Sequence, residues 1–536
     1  MSATTGDAVP APDRPSEAPR ADARPETLDR AKLAVFGVMV FGMFMAVLDI
    51  QIVAASLPQI QASLSASSEE ISWVQTAYLI AEVMMIPISG YLSRALSTRV
   101  IFVISAAGFA VASLGCALSW NIESLVVMRA VQGFIGGAMI PTVFATAFSA
   151  FPTRHQASLS AVIGLIVTAA PAVGPTLGGF ITEHLSWHWL FFINVVPGAM
   201  IATTVWLFGH FDEPDHSLLR RIDFLAFGLM AVGLGFLEYV LEEGPREDWF
   251  DDPLIAVMAF TCVVSLTLFI WRSLATPQPL VDLNAFRNRN FLFSSLSAMV
   301  LGAALFGLVY ILPLFLARVR GYSSLQIGET LFVTGASMFF AAPLAAILSR
   351  KFDPRLLCAG GFALAAISTT RFAAMTSEWG FSELLLPQVA RGVGLMFCMA
   401  PINVIAFGTM SPLQVRSAAG LFSLMRNLGG AVGLAVINTM LTERVAFHAR
   451  TLSDNLDPGA PLYIERSGRL AEALAASGAS DGAAAASSIL IEIVQREAAV
   501  LAFADMMRVL FWICVAGAVF LAFVGRPQAQ GAAPAH

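Results

Sequence analysis

Charge is scarce in this chain. Only 13% of its 536 residues are Asp, Glu, Lys or Arg, against 57% hydrophobic residues, and the mean hydropathy is strongly positive. A soluble domain of this size needs far more polar surface. The formal charge of −6 says little about partners, since orientation in a membrane depends on where basic residues sit. Cysteine is also sparse: Cys116, Cys262, Cys358, Cys398 and Cys514 all lie in apolar runs without paired spacing, which argues against a disulfide framework or a zinc site. The seven histidines fall in expected loops, tails or span edges. No Gly-rich phosphate loop leads to a Lys and no soluble domain is evident, so neither an enzyme nor a nucleic-acid partner is expected, and no cofactor or metal. The first thirty residues lack the apolar stretch and small-residue site of a cleaved signal peptide. They are rich in Pro, Ala, Ser and charge, and 1–32 reads as a disordered tail.

What the chain has is apolar runs of about 20 residues, the length a helix needs to cross a hydrocarbon core of about 30 Å. Only helices or closed barrels span lipid, and these runs are continuous rather than alternating, so they are helices. Spans are expected near 33–58, 71–93, 100–119, 122–148, 158–181, 189–209, 222–241, 253–274, 290–316, 325–348, 356–375, 382–409, 417–440 and 501–524. An even count puts both termini on one side. Short loops on that side carry thirteen Lys and Arg between Arg94 and Arg526, against Arg246, Arg318, Arg320 and Arg371 on the other, which makes both termini cytoplasmic. The opposite face receives an acidic turn, Glu242 to Asp252, and a long segment 441–500 with Ala-rich helical stretches, either an external contact surface or a spacer.

A charged side chain near mid-bilayer costs at least about 2.5–3.5 kcal/mol on insertion scales, so each one marks a pathway or a partner. Asp49, Glu82, Arg129, Arg391 and Arg426 stand out. The depths of Asp49, Glu82 and Arg129 agree within about 6 Å at the helical rise, so the three are expected to share one polar layer. Desolvation favours the protonated form of a carboxyl and a nearby Arg the ionised form. An acid alternating between those influences can take a proton on one side and release it on the other. For Asp49 the competing reading is a fixed structural ion pair. Arg391 matches Arg129 in depth, and both precede Gly-rich stretches and then Pro141 or Pro401, which suggests related halves. Each Arg reads alternatively as glue between helices.

Several strings resemble the fourteen-helix drug:proton antiporters of the major facilitator superfamily, the EmrB/QacA-like branch. LDIQIVAASLP is similar to that branch's acidic helix-1 motif and places its acid at Asp49. LVVMRAVQGFIGG resembles the helix-4 motif whose arginine, here Arg129, is assigned to proton coupling. Gly164 followed by Gly174, Pro175, Thr176, Leu177, Gly178 and Gly179 resembles the helix-5 antiporter signature. Its glycines permit close helix contact and Pro175 removes a backbone donor and bends the helix, so it can seal the pathway while rocking. WHWLFFINV, LEEGPREDWF, LVDLNAFRNRNF and RNLGGAVG extend the likeness over about residues 33–525. The cytoplasmic loop from Gly90 departs from the pattern, with Arg94 where Asp is expected and Ser97 where Gly is expected, before Arg99.

The resemblance implies an all-α integral membrane protein of the major facilitator fold with 14 transmembrane helices. A six-helix bundle over 33–209 is expected, two linker helices and a cytoplasmic loop over 210–288, a second six-helix bundle over 289–525 that includes the long external segment 441–500, and a cytoplasmic tail 526–536. Proton-driven export of lipophilic, amphipathic or cationic compounds across the inner membrane follows, with a periplasmic adaptor and an outer-membrane channel as partners where the cell has an outer membrane. A permease for a defined metabolite or siderophore is the alternative. The expected cargo residues are Gln51, Gln75, Glu82, Asn403, Arg426 and Asn427, polar groups at membrane depth that also read as interhelical hydrogen-bond partners.

Overall fold

The computed structural model describes residues 30–454, 461–476 and 481–525. The expected tails 1–32 and 526–536 lie outside them, apart from residues 30–32, which open the first helix. Among the described residues there is no strand. The first half contains α1 (Arg30–Ala55), a short α2 (Leu57–Leu64), α3 (Ser68–Leu96), α4 (Thr98–Ala117), α5 (Ile122–Gly136), α6 (Met139–Ser149), α7 (Thr153–His184) and α8 (Trp189–Phe208). A hairpin of α9 (Phe224–Glu243) and α10 (Pro253–Ala275) follows. The second half contains α11 (Arg289–Arg318), α12 (Ser324–Lys351), α13 (Pro354–Phe372), α14 (Phe381–Phe407), α15 (Pro412–Asp454), α16 (Pro461–Ala476) and α17 (Gly482–Ala522). Among the described residues, twelve spans are long and apolar enough to cross a membrane, with α5 and α6 counting as one; α7 and α13 complete the series of fourteen expected from the sequence.

Local sequence explains the starts and breaks. Ser67 and Glu70 close a capping box at the head of α3, and Ser323 and Gln326 do the same for α12, the corresponding helix of the other half. The fourth span is interrupted between α5 and α6 at Gly137, where an added Cβ would stand 2.8 Å from the Glu82 carbonyl oxygen, so the chain there runs against α3. The segment 441–500 is largely helical: α15 and α17 continue past the ends expected for their spans, and α16 lies between them. Asp505, inside the last span, ties the continuation of α15 to α17, accepting from Arg444 at 3.1 Å, meeting His448 at 2.9 Å and accepting from Arg508 of its own helix at 2.6 Å.

The halves meet along two seams. The second span of the first half, α3, packs on the fifth of the second, α15, and the reciprocal pair is α7 on α12. Close backbone approach makes the first seam: a Cβ at Gly90 would lie 2.6 Å from the Arg416 carbonyl, and one at Gly420 2.7 Å from that of Ile86. α9 packs on α3 and α15, so the extra hairpin flanks this seam.

Candidate functional site

Five helices converge on one ion pair. α1 supplies Asp49, α5 supplies Arg129 and, one turn on, Gln132, α8 supplies Asn194, α4 supplies Ser113, and α3 supplies Tyr78 and the Val74 carbonyl. Arg129 Nη1 donates to Asp49 Oδ2 at 2.6 Å and both side chains are fully buried. Asp49 Oδ1 accepts from Asn194 at 2.6 Å and from Gln132 at 3.2 Å. Arg129 also donates from Nε to the Val74 carbonyl at 3.1 Å and from Nη1 to Gln132 at 2.8 Å, and its guanidinium lies 4.2 Å from the Tyr78 ring centre. Gln132 in turn donates to Ser113 at 2.8 Å.

Desolvating such a pair costs several kcal/mol per ion, and only close geometry with the remaining lone pairs satisfied offsets it. Here both carboxylate oxygens are engaged. Removing the negative charge alone, by adding a proton, leaves the guanidinium with amide, carbonyl and aromatic partners. The cluster can therefore exist in two charge states with different strengths of attachment between α1 and α5.

A cavity lies beside this cluster, at the seam. Counting its open mouth, it holds about 960 Å³ of space free of atoms. Its walls are mostly apolar, with Gln51 from α1, Glu82 from α3, Glu238 and Glu242 from α9, and Arg426 and Asn427 from α15 as the polar groups. Arg426 stands 5.0 Å over the Phe144 ring. The expected single layer is thus divided. Glu82 lies on α3 one turn beyond Tyr78, and among the described residues it makes no ion pair with Arg129, because it faces the cavity while Asp49 takes the guanidinium.

The other expected residues separate in the same way. Gln75 and Asn403 do not line the cavity; Asn403 donates to the Met399 carbonyl of its own helix at 2.8 Å. Arg391 corresponds to Arg129 in position but meets the Leu308 carbonyl at 3.3 Å and the Thr334 hydroxyl instead of an acid. α7 runs unbroken through Pro175 and presents its glycines to neighbours: Gly174 and Gly178 to Gln51 and Ile52 of α1, and Gly164 to Met396 and Met399 of α14. At Gly178 an added Cβ would stand 2.7 Å from the Ile52 carbonyl oxygen.

At the end of α3, Arg94 accepts from the Asp215 amide through its carbonyl at 2.9 Å, and Arg99 lies 2.8 Å from His210. The Ser217 hydroxyl and amide, both donating to Asp215, hold its carboxyl below the usual range. Ser97 occupies φ +82°, the region that favours the expected glycine, and its hydroxyl accepts from the Val100 amide to start α4. The acid missing at position 94 has a counterpart. Asp212, from the segment after α8, accepts from the Thr98 amide and hydroxyl at 2.9 and 2.8 Å and from Arg416 of α15 at 2.7 Å.

Sequence reasoning missed Gln132, Asn194, Glu238, Glu242 and Asp212 as site residues. Two of them stand inside strings singled out for resemblance, Gln132 in RAVQGFIGG and Asn194 in WHWLFFINV. Glu238 was signalled by an acid inside an apolar span.

Two six-helix halves joined along reciprocal seams, with a cavity between them and a buried ion pair at its side, define a secondary membrane transporter. Residues 39–434 match the Major Facilitator Superfamily, and the chain belongs to it. It is 41% identical to the colistin resistance protein EmrB of Acinetobacter baumannii over 92% of this chain and 96% of that protein. It is 29% identical to the multidrug export protein EmrB of Escherichia coli, over 81% of this chain and 85% of the relative. These relatives fall in the branch that the motifs of the first, fourth and fifth spans resemble. The crystal structure of the human organic anion transporter MFSD10 shares the fold, with a TM-score of 0.58 at 14% identity, covering 90% of this chain and 99% of that one.

Proposed function

We propose that the protein exports lipophilic or amphipathic compounds across the cytoplasmic membrane in exchange for protons, by alternating access. The Asp49–Arg129 pair carries this reading: a carboxylate whose oxygens are all engaged, fully buried beside a cavity at the seam of two halves. Intramembrane acids with a partner are by default part of a pathway. When Asp49 takes a proton, its ion pair with Arg129 becomes a hydrogen bond from the guanidinium to a neutral carboxyl, which holds less strongly, and α1 is released relative to α5. α1 and α3 transmit the change to cargo because Gln51 and Glu82 stand on those same helices.

Cargo occupies the cavity, with Gln51, Arg426 and Asn427 as hydrogen-bond partners and Glu82 attracting cationic compounds. The glycines Gly164, Gly174, Gly178 and Gly179 keep α7 close enough to its neighbours to seal against leak. The proton gradient is the sole energy source and no cofactor takes part. Both termini face the cytoplasm, the bundles divide near 209 and 289, and in a cell with an outer membrane an adaptor and a channel complete the exit path. The names of the two bacterial relatives, for multidrug export and for colistin resistance, support export of toxic compounds.

The test is purified protein in liposomes with an imposed pH gradient, read with fluorescent lipophilic compounds, beside growth of cells with and without the protein across a compound panel. Gradient-dependent accumulation and raised tolerance are expected. Movement of a compound that ignores the gradient would replace exchange by a permease.

A further inference from the structure

The fourteen-helix chain spends two spans, α9 and α10, outside its six-helix halves, and the last two turns of α9 carry Glu238, Glu242 and Glu243. Acids there oppose the helix dipole, whose negative end lies at the C-terminus. The i,i+4 pair Glu238 and Glu242 adds like-charge repulsion on one face. For Glu243 the surroundings offset the cost: it accepts from Ser72 and Thr76 of α3 at 3.3 Å each and pairs with Arg246 at 3.3 Å. Trp73 lies against Tyr239 with ring centres 5.5 Å apart, and Trp249 donates to Thr439 of α15 at 2.9 Å. These contacts fix the rotation of α9, and that rotation turns Glu238 and Glu242 to the cavity.

Nothing in the fold offsets Glu238 in the same way. It is 7% exposed and Glu82 5% exposed, both line the cavity, and among the described residues neither they nor Glu242 has a hydrogen bond or an ion pair. Along the cavity wall, among the described residues, these three carboxyl groups face one guanidinium, Arg426, already stacked over Phe144, while the nearby Arg129 and Arg246 are paired with Asp49 and Glu243. One positive charge against three carboxyl groups leaves room for two more, and the walls between them are apolar, with Leu79, Leu305 and Phe306 among them.

We infer that Glu238 and Glu242, supplied by the extra hairpin, complete the cargo site with Glu82 and select amphiphiles that carry two positive charges joined by an apolar spacer. α9 is then part of the binding wall rather than a spacer between halves. The inference rests on the cavity being the cargo site, as the export reading holds. A second charge on the ligand gains most of its binding free energy from α9, because attraction in a poorly solvated pocket is far stronger than in water.

The experiment measures binding to detergent-purified protein of a bis-quaternary ammonium joined by a decyl spacer and of the mono-quaternary analogue of equal length. Wild-type protein is expected to bind the dication about tenfold more tightly than the monocation. Glu238→Gln with Glu242→Gln is expected to erase that preference, and Glu247→Gln, an exposed acid on the following turn, to keep it. Equal wild-type affinities for the two ligands overturn the inference without any variant being needed. A preference that survives in the double variant, shown to be monodisperse, overturns it too. A preference that depends on Glu238 and Glu242 in protein that shows no gradient-driven transport supports the site and overturns the export reading instead.

Discussion

Arg129 and Arg391 hold corresponding places in their two halves, in the N-terminal half of the fourth span, and both are buried, at 0% and 2% exposure. Their surroundings differ at each corresponding helix. The first span answers Arg129 with the Asp49 carboxylate and answers Arg391 with the Leu308 backbone carbonyl. The second span contributes the Val74 carbonyl and the Tyr78 ring face in one half and the Thr334 hydroxyl in the other. One scaffold, used twice, therefore holds a charge pair that a proton can dissolve in the first half and a cation without a counter-charge among the described residues in the second. Only the first arrangement has a titratable partner, so on the export reading proton coupling belongs to the first half and Arg391 is glue between α11, α12 and α14.

The sharpest way to break this comparison is to remove each cation in turn. Arg129→Met leaves Asp49 buried without its partner, so that folding must either bury an unpaired charge or protonate the carboxyl, and is expected to lower stability by about 3–5 kcal/mol near neutral pH. Arg391→Met removes hydrogen bonds but abandons no opposite charge, and the Thr334 hydroxyl keeps Gln388 as a partner at 3.0 Å. Its loss is expected below about 2 kcal/mol. Unfolding in mixed micelles reads both, and equal losses would show that the acid is not what distinguishes the halves.

A smaller effect is expected on stability, and a larger one on motion, where α7 meets α1. Gly178→Leu places an isobutyl group where even a Cβ meets the Ile52 carbonyl at 2.7 Å, whereas nothing lies within 4 Å of a Cβ at Gly37. Cargo binding is expected to survive Gly178→Leu while turnover falls by about tenfold or more, with Gly37→Leu as the unaffected reference. Normal turnover in Gly178→Leu would mean that α7 is not a moving seam.

How much of this was legible in the sequence follows from what each signal measures. Asp49 and Arg129 were legible because charge at membrane depth is expensive and therefore rare. Gln132 and Asn194 were not, because amides inside spans are common and their sequence carries no trace of which helix they face. Hydropathy ended the seventh span near 241 and assigned Glu242 to an external turn, whereas α9 stays helical through Glu243 and turns Glu238 and Glu242 to the cavity. The same reason ended the thirteenth span at 440 and began the last at 501, so the helical stretches expected in 441–500 were not joined to the spans that continue into them. Apolarity reports where lipid contact ends, but a helix continues until a breaker, and none occurs in α15 between Leu441 and Asp454. Asp212 was invisible because its role depends on a fold-back of the segment after α8 onto the head of α4 and on Arg416 across the seam.

The smallest effect expected is at that bridge. Asp212→Asn keeps an acceptor for Thr98 but gives up the charge that holds Arg416, weakening one charge-assisted contact between the halves by about 1 kcal/mol. Labelling of a cysteine placed at that end of the seam is expected to quicken roughly fivefold. An unchanged rate would mean that the Gly90 and Gly420 backbone contacts alone close it.

The measurement that tests the central claim most directly compares Asp49→Asn with wild-type protein in the same liposomes, once with an imposed pH gradient and once with cargo on both sides and no gradient. Asparagine keeps the shape and the bonds from Gln132 and Asn194 in reach but cannot take up a proton. If Asp49 carries the coupling proton, the variant exchanges labelled for unlabelled cargo but no longer accumulates it against a concentration difference when the gradient is imposed. Gradient-driven accumulation at the wild-type level in the Asn variant would contradict the account and remove the Asp49–Arg129 pair from the coupling mechanism.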